Sequence, residues 1–414
     1  MKHQLGIVLF VVALWLGIGG LAGAKDGPSA DGPDPLEAQP SQKDQADKKK
    51  PPAKDKEKPA PLAISDFLPQ EQLNLAGEAV PQAPEMLGDV EPFGTLLKIL
   101  PRAIQVPPLI RTFQTINAVG QVITVTQVIP RPPIIVPGGS VFVPMGSGGF
   151  KIADNNSPMP QDRVYVSFNA FDDAYASTNS RLGTGVQNMS IYRESFGMEK
   201  TFLGGDASAG MILPLNTLYM QSPVAVLNGS NTALGDLSMF ARYALFRDDD
   251  SNNWITGGLA LTVPSGPSTF AGIAGPSPVP HTTIFQPFGS YLWNFGNLYL
   301  QGFLSLYTPA EHAASPTLLF NDVALGYFIY RAPIGSRFVT GVAPTFEVHV
   351  ADPLNDRGAV TATNPFGAFD LVDVGLGLNV LMGAGSRLGI GVVTPVTGPR
   401  PFNVETLVQF RIRF

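Results

Sequence analysis

Histidine is the side chain that most often acts as a general base, and three histidines follow residue 24 of this chain. His281 and His312 lie in stretches rich in Pro, Ala and Thr, outside any predicted strand. His349 follows Glu347 by two residues in a predicted strand, so both side chains point to the same side. The chain has no cysteine, and neither "PGGSVF" nor "GSGG" has the G-x-S-x-G spacing of a nucleophile elbow. The sequence therefore predicts a protein that is not an enzyme and has no catalytic residue.

The stretches that resemble cofactor or metal motifs have simpler interpretations. "GAGSRLG" at 383–389 is rich in glycine, but it lies in a predicted hairpin and not in the strand-to-helix turn of a dinucleotide site. The acidic stretch "FRDDDSNN" at 246–253 offers carboxylates to a divalent cation. A solvated turn has the same composition, and we favour that interpretation. The absence of cysteine excludes thiolate metal sites, so the sequence predicts no cofactor and no metal.

Charged residues recur on one face of strands whose other face is apolar. At 387–392, for example, Leu388, Ile390 and Val392 alternate with Arg387 and two glycines. If such strands close into a barrel with the apolar face outside, the charged residues line the lumen. The predicted lumen residues are Arg163, Arg242, Glu347, His349, Asp373, Arg387, Glu405 and Arg411. Their signs are mixed, so the sequence predicts no preference for cations or anions.

The stretch "FNVETLVQFRIRF" at 402–414 shows the alternation most clearly. One face carries Phe402, Val404, Thr406, Val408, Phe410, Ile412 and Phe414, and the other carries Asn403, Glu405, Leu407, Gln409, Arg411 and Arg413. A half-buried strand in a soluble sandwich alternates in the same way. In a bilayer, a shift by one residue would place Arg411 in lipid at a cost of about 2–4 kcal/mol near the midplane. We therefore expect the face that contains Phe414 to point outward.

Similar stretches recur from Asp162 to the last residue. We predict strands at 162–171, 189–202, 206–214, 236–247, 252–263, 282–293, 297–307, 318–330, 337–350, 369–382, 386–396 and 402–414. Their lengths are near the roughly 9–11 residues that a tilted strand needs to cross a bilayer. Short turns such as "GAGS" alternate with long loops such as "NDRGAVTATNPFGA", which is typical of outer-membrane barrels. The sequence predicts an all-β fold, a transmembrane antiparallel up-and-down β-barrel of about twelve strands spanning 161–414.

The N-terminal residues predict export. Lys2 and His3 precede an apolar run that ends in Ala22-Gly23-Ala24, so we predict a signal peptide at 1–24 with cleavage before Lys25. A retained membrane anchor is the less favoured alternative. Residues 25–62 mix Lys, Asp and Pro with almost no large apolar residue, which predicts a disordered linker. This linker could contact the cell wall or act as a passive spacer.

Residues 63–160 form a proline-rich segment between the linker and the barrel. "EPFGTLLKILPRAI" at 91–104 fits a short amphipathic helix before Pro101, and "FQTINAVGQVITVTQVI" at 113–129 fits a strand or a short helix followed by a strand. The clustered prolines of "PRPPIIVPGG" at 130–139 require an extended chain. The segment either plugs the barrel lumen or hangs below the barrel in the periplasm, and the sequence leaves both alternatives open.

The terminal "VQFRIRF" resembles the C-terminal β-signal of bacterial outer-membrane proteins. The resemblance implies that Val408, Phe410, Ile412 and Phe414 are recognised by the barrel assembly machinery. "DNNSPMPQDRVYVSFNAF" and "YRESFGMEKTFLGGDASAG" resemble the opening strands of porin-like outer-membrane proteins of planctomycete bacteria. This second resemblance implies a barrel and no particular substrate. Both agree with a location in the cell outer membrane after export.

Three functions fit a barrel of this kind. The favoured one is an outer-membrane channel for diffusion or uptake of small solutes. The first alternative is a plugged structural barrel that anchors the outer membrane through its N-terminal segment. The second is a lipid-modifying barrel enzyme that uses Ser, His and Asn at its lipid-facing surface. Expected partners are outer-membrane lipid, the barrel assembly machinery, small solutes and, through 25–62, the cell wall. A net charge of −6 with only 14 % charged residues argues against nucleic acid.

Overall fold

A computed structural model describes residues 80–89, 93–99, 102–136, 138–146, 150–222, 228–273 and 281–414. The predicted signal peptide at 1–24 and the predicted linker at 25–62 lie outside the described residues. Six strands precede the barrel: β1 (Gly94–Ile99), β2 (Arg102–Ile104), β3 (Leu109–Ile116), β4 (Val122–Ile129), β5 (Ile134–Val136) and β6 (Gly139–Pro144). Fourteen follow: β7 (Arg163–Asp172), β8 (Asn188–Phe202), β9 (Ala207–Gln221), β10 (Gly229–Leu234), β11 (Leu237–Asp248), β12 (Asn253–Val263), β13 (Ile284–Phe295), β14 (Leu298–Pro309), β15 (Leu318–Tyr327), β16 (Tyr330–Arg331), β17 (Val339–Pro353), β18 (Leu371–Met382), β19 (Ser386–Pro395) and β20 (Val404–Arg413).

Twelve of these strands form a closed antiparallel barrel, as predicted. Within the described residues, neighbours along the chain pair in order from β7 to β20, with β10 and β16 as short additions to the sheet. The barrel closes where β20, the last strand, pairs with β7, the first, for example Arg411 opposite Tyr165. Closure pairs every strand on both edges, so a barrel strand leaves no backbone ladder unsatisfied.

Side chains alternate between the inside and the outside of the wall, as the period of two predicted. Along β20 the outward residues from Val404 to Ile412 are exposed, and those between them, from Glu405 to Arg411, are buried. On β7 the apolar Val164, Val166 and Phe168 point outward. These outward apolar side chains form the surface that was predicted to face lipid.

The two ends of the barrel differ. Short connections lie at one end, which we call the turn end, and long connections lie at the other, the loop end. The turn-end connections include 203–206, 249–252, 296–297 and 383–385, and the loop-end connections include 173–187, 310–317, 354–370 and 396–403. A single short helix, α1 (Ala176–Leu182), lies at the loop end among the described residues. No helix in the described ranges is long and apolar enough to cross a membrane.

The segment before the barrel contains strands where the sequence predicted a helix. Residues 94–99 form β1 and pair with β6, and 102–104 form β2 and pair with β5. The helix expected before Pro101 is wrong, because Leu96 and Leu97 pair with Phe142 and Val141 of β6. This tertiary pairing outweighs the weak local propensity of a short apolar run.

A second ladder extends beyond the barrel. The β1–β6 pair is held at the loop end, where the Leu96 N–H donates to the Pro365 carbonyl (3.0 Å) and the Asn179 amide bonds both backbone groups of Phe142 (2.9 Å each). Beyond it come the β2–β5 pair and then β3 and β4, joined by a turn at 117–121. We call residues 109–129, which comprise β3, the turn and β4, the outer ribbon.

Candidate functional site

The barrel lumen contains two segments of the protein's own chain, which we call lumen segment A (80–89) and lumen segment B (150–161). Nearly every residue in both segments is buried. They run antiparallel and bond to each other, with the Met86 N–H donating to the Asn156 carbonyl (2.9 Å). Segment B contains a turn at 152–155, in which the Asp154 N–H donates to the Lys151 carbonyl (3.0 Å). The charged and amide side chains of both segments are buried in the lumen together with those of the wall.

Apolar packing shows the direction of each segment. Ala83 of segment A and Met159 of segment B pack in one cluster with Leu292 near the turn end. Phe93, just after segment A, and Met145, just before segment B, pack in another cluster at the loop end. The chain therefore passes through the barrel from the turn end to the loop end, forms the second ladder, and returns through the lumen before β7 begins.

Near the turn end, one carboxylate of segment A meets three arginines of the wall. Glu85 pairs with Arg387 (3.1 Å), with Arg411, and with Arg413 (3.4 Å). Arg387 also donates to the Ala83 carbonyl (2.8 Å). A buried cation needs an opposite charge or several acceptors, and segment A supplies both to this basic layer.

An amide of segment B receives two arginines of the wall, one of which, Arg163, is the first residue of β7 and lies opposite Arg413. Asn156 Oδ1 accepts from Arg163 Nη2 and from Arg242 Nη2, each at 2.7 Å. Glu199 forms ion pairs with both arginines, with Arg163 Nε at 2.8 Å and with Arg242 Nη2 at 3.4 Å, and it also accepts from the Ser208 hydroxyl (2.6 Å). Arg242 also donates to the Ser157 carbonyl. Two predicted lumen residues, Arg163 and Arg242, therefore bind segment B and do not face an open, water-filled lumen.

Nearer the loop end the wall is acidic, and a lysine of segment B lies in it. Lys151 Nζ pairs with Asp89 and with Asp322 Oδ1 (2.9 Å), and all three side chains are at most 1 % exposed. His349 Nδ1 lies 2.9 Å from Asp322 Oδ1. Glu347 accepts the backbone N–H groups of segment A at Leu87 (2.8 Å) and at Gly88 (3.0 Å). These ion pairs join both lumen segments to the wall.

The same acidic layer contains the only group in the described residues with metal-ligand spacing. One ligand atom each of Asp89, Asp322 and His349 lies within 4.8 Å of the others. The Lys151 ammonium already contacts both carboxylates, so the positive charge that these ligands require is supplied by the chain itself. The arrangement is that of an ion-pair network and not of an open metal site.

Asp373 and Glu405 each have one buried carboxylate oxygen that lacks a hydrogen-bond partner within the described residues. Glu405 Oε1 accepts from the Asn169 amide (2.6 Å). Within the described residues, several buried acceptors or hydroxyls around them have no hydrogen-bond partner: Ser167 Oγ, Asn169 Oδ1, Ser195 Oγ, Asn216 Oδ1, Asp373 Oδ1 and Glu405 Oε2. We call these residues the polar wall patch. Buried polar groups of this kind are normally satisfied by water.

All eight predicted lumen residues point into the barrel and are at most 5 % exposed. The structure adds lumen residues that the sequence analysis missed, chiefly Glu85, Asn156 and Lys151 on the lumen segments and Glu199 and Asp322 on the wall. The alternation of side chains along the predicted strands at 189–202 and 318–330 could have identified the two wall residues as facing the lumen. No such signal marked the residues of the two lumen segments, because polar and apolar residues do not alternate regularly in either segment.

The four predicted assembly residues lie on the outside of the wall. Val408, Phe410, Ile412 and Phe414 are 38–67 % exposed. The backbone N–H of Phe414 donates to the Asp162 carbonyl across the closing seam (3.3 Å). At this seam desolvation raises the pKa of the Asp162 carboxyl, but hydrogen bonds from Lys200 and Thr201 outweigh it and lower the pKa to about 2. Recognition by assembly machinery stays a prediction.

Two of the histidines, His281 and His349, lie beside carboxylates. His281 Nε2 lies 2.6 Å from Asp236 Oδ2, and Asp236 also accepts the Gly266 N–H (2.9 Å), so this pair fixes a loop-end connection. His349 is enclosed by carboxylates in the lumen, away from the lipid-facing surface.

No family model matches the chain, and no curated protein is similar to it. Solved structures resemble the barrel. An outer membrane channel from Pseudomonas putida F1 is 12% identical with a TM-score of 0.46, over 63% of this chain and 97% of the channel. The KdgM porin is 10% identical with a TM-score of 0.33, over 61% and 99%. The NanC porin is 11% identical with a TM-score of 0.36, over 60% and 98%. Likenesses this distant carry no argument about function, which has to come from the residues of this chain.

Proposed function

We propose that the protein is an outer-membrane barrel closed by its own chain, a plugged structural barrel that connects the two sides of the membrane. The observation that carries this proposal is the filled lumen. Lumen segments A and B run its length, and Glu85 of segment A and Lys151 of segment B each pair with wall residues of opposite charge. Its expected surroundings are outer-membrane lipid around the apolar wall, the assembly machinery at β20, and the cell wall near residues 25–62.

The matched charges fix the position of the two lumen segments along the barrel. Glu85 lies in the basic layer near the turn end, and Lys151 lies in the acidic layer nearer the loop end. Exchanging these layers by sliding the segments would leave buried charges without partners, at several kcal/mol each. The resting lumen is therefore closed, and this distinguishes the proposal from an open diffusion channel.

A channel for small solutes is the second candidate, and the polar wall patch favours it. Six buried groups on β7, β8, β9, β18 and β20 lack partners within the described residues, which suits a hydrated path beside the plug. On this alternative the plug narrows the pore without closing it. The two candidates differ in one measurable property, the conductance of the intact protein.

Single-channel recording in planar bilayers tests the proposal. We expect the folded wild-type protein to show no discrete steps, because both lumen segments are fixed to the wall. The variant Glu85→Arg places a fourth cation beside Arg387, Arg411 and Arg413 and should open the lumen, giving conductance steps. The matched control Asp250→Arg makes the same change on an exposed turn-end residue and should stay silent.

The recordings of the wild-type protein and of the variants distinguish the closed barrel from the channel. Steps of stable amplitude from the wild-type protein would overturn the closed barrel in favour of the channel. A heat-modifiable gel band for each variant confirms that its barrel is folded. The absence of conductance steps then means that the lumen is closed and not that the barrel has unfolded.

A further inference from the structure

The basic layer near the turn end carries more positive charge than its neighbours balance. Arg387, Arg411 and Arg413 are all paired with Glu85, which in the described part of the chain is the one carboxylate within ion-pair distance of them. Arg387 and Arg411 are at most 5 % exposed, so bulk water cannot solvate their charge. One carboxylate among three arginines leaves two positive charges, and charges removed from water need a counter-ion.

The hydrogen bonds of this layer are also incomplete. Arg411 Nε and Arg413 Nε are buried and have no acceptor among the described residues. Other N–H groups bind segment A, since Arg413 Nη1 donates to Gln82 Oε1 (3.0 Å) and Arg387 Nη1 donates to the Ala83 carbonyl (2.8 Å). A guanidinium has five N–H donors in a fixed fork, so the layer retains donors for one more acceptor group.

The neighbouring charges add to the excess. Arg163 lies opposite Arg413 in the strand register, and it shares Glu199 with Arg242. Two arginines around one carboxylate carry a further positive charge, so this cluster has no carboxylate to spare for the basic layer. The missing negative charge therefore has to come from a group other than the described residues.

A pocket at the turn end gives such a group access to the layer. It has a volume of about 240 Å³ and is lined by Arg387 and Arg413, by the start of segment A at 80–82 and by the hairpin turn at 383–385. A cavity needs about 10–15 Å³ to hold one water molecule. This pocket, which we call the turn-end pocket, therefore has room for an anion of several atoms.

We propose that the turn-end pocket binds a phosphate group with two negative charges, the form that inorganic phosphate and phosphomonoesters approach near neutral pH. A phosphomonoester carries a charge of about −1.5 to −2 at pH 7, which matches the two positive charges that Glu85 leaves. Arginine forks bind phosphate oxygens in pairs, and two arginines line the pocket. A carboxylate or a phosphodiester would balance only one of the two charges.

A phosphate group of this kind can belong to a soluble molecule or to a lipid headgroup. The pocket lining also contains Ile334, Leu381 and Met382, and apolar residues suit the glycerol end of a lipid. The charge of the site favours a soluble molecule, because ordinary phospholipid headgroups are phosphodiesters with a single phosphate charge. The inference goes beyond the proposed function, since a pocket at the turn end can bind an anion whether or not the lumen conducts.

Isothermal titration calorimetry of the full-length protein with inorganic phosphate, in a maltoside detergent, tests the site. We expect one saturable site per chain, with an affinity that falls as the salt concentration rises. Arg413→Gln removes a charge that lines the pocket and should weaken binding by about tenfold or more. Acetate, which carries one charge, should bind about tenfold more weakly than phosphate.

Two further variants control for the fold and for the charge. The matched control Arg337→Gln removes an exposed arginine in the connection between β16 and β17 that does not line the pocket, and it should bind phosphate like the wild type. Arg413→Lys keeps the charge but loses the fork, so its affinity should lie between those of the wild type and Arg413→Gln. An unchanged heat-modifiable band shows that a variant has kept its barrel.

The outcomes separate this inference from the proposed function. A wild-type protein without saturable binding, or equal losses in Arg413→Gln and Arg337→Gln, would overturn the site and leave the closed barrel standing. Phosphate binding that persists in phosphatidylcholine nanodiscs but is lost in phosphatidylglycerol nanodiscs would assign the pocket to a lipid headgroup and overturn the soluble ligand. Conductance steps from the wild-type protein would instead overturn the closed barrel and leave the phosphate site standing.

Discussion

At the scale of single residues, the buried lysine of lumen segment B connects the plug to the wall. Lys151 contacts Asp89 from segment A and Asp322 from β15, and all three groups are removed from water. A buried ion pair adds little net stability compared with an apolar pair. Its value here is positional, since only one placement of the segments satisfies both carboxylates.

Removing this lysine should therefore be costly. We expect Lys151→Met to lower the free energy of unfolding by about 3–5 kcal/mol, because it leaves two buried carboxylates without their cation. Urea unfolding in lipid vesicles, followed by the fluorescence of Trp254 and Trp293, measures the change. The matched control is Lys200→Met, which removes a lysine whose side chain is 63% exposed in its pair with Asp162 and should cost less than about 1 kcal/mol. Equal effects of the two substitutions would contradict the buried network.

The lumen contacts show what a sequence can and cannot reveal at this scale. Arg163, Arg387 and Arg411 were predicted to face the lumen because each lies on the polar face of a strand. Their partners were not predictable in the same way. Lys151 and Asp322 are 171 residues apart, and Glu85 lies 302 residues from Arg387. Only the closed barrel brings these groups together, and segments A and B carry no period that marks them as buried.

At the scale of elements, the wall is held by close packing of aromatic rings on glycines as well as by its hydrogen-bond ladders. On β14 the Tyr299 ring covers Gly326 of the neighbouring β15, where an added Cβ would lie 2.0 Å from the ring carbon Cζ. Tyr165 covers Gly197 between β7 and β8 in the same way. Glycine at these points lets a large interior ring lie flat against the wall.

This packing predicts a difference between two strand glycines. Gly326→Ala should displace the Tyr299 ring and lower the free energy of unfolding by about 1–3 kcal/mol through overpacking. Gly289→Ala on β13 is the matched control, because its added Cβ meets only one atom within 4 Å, the Thr256 carbonyl oxygen at 3.9 Å. We expect the control to stay within about 0.5 kcal/mol of the wild type in the same urea assay. A neutral Gly326→Ala would show that the ring does not pack as described.

The barrel strands were the most predictable elements, and the reason is energetic. Each of the twelve has one face toward apolar surroundings, so a period of two is imposed on residues such as Val404 to Ile412. The strands before the barrel have no such constraint. β1 was expected to be helical because its apolar residues are clustered, and only its pairing with β6 decides the structure. The turn between β3 and β4 lies in the stretch at 113–129, for which the sequence left two alternatives, a strand or a short helix followed by a strand.

At the scale of the whole molecule, the path of the chain explains why these features occur together. Segment A carries the chain through the barrel to the loop end, the second ladder extends it beyond the barrel, and segment B returns it to the start of β7. The start of segment A at the turn end and the outer ribbon beyond the loop end are thereby connected through the lumen. The charged layers keep the two segments in place, so the wall, the plug and the ribbon behave as one unit.

The chain crosses the lumen twice, and because the sequence contains no cysteine, single-cysteine variants can test this path directly. In cells expressing single-cysteine variants, a membrane-impermeant maleimide reports which positions face the outside. We expect Ala118→Cys, at the tip of the outer ribbon, to be labelled in intact cells, and Ala384→Cys, at the turn end, to be labelled only after the outer membrane is opened. Labelling of both positions on the same side would contradict a chain that crosses the lumen twice.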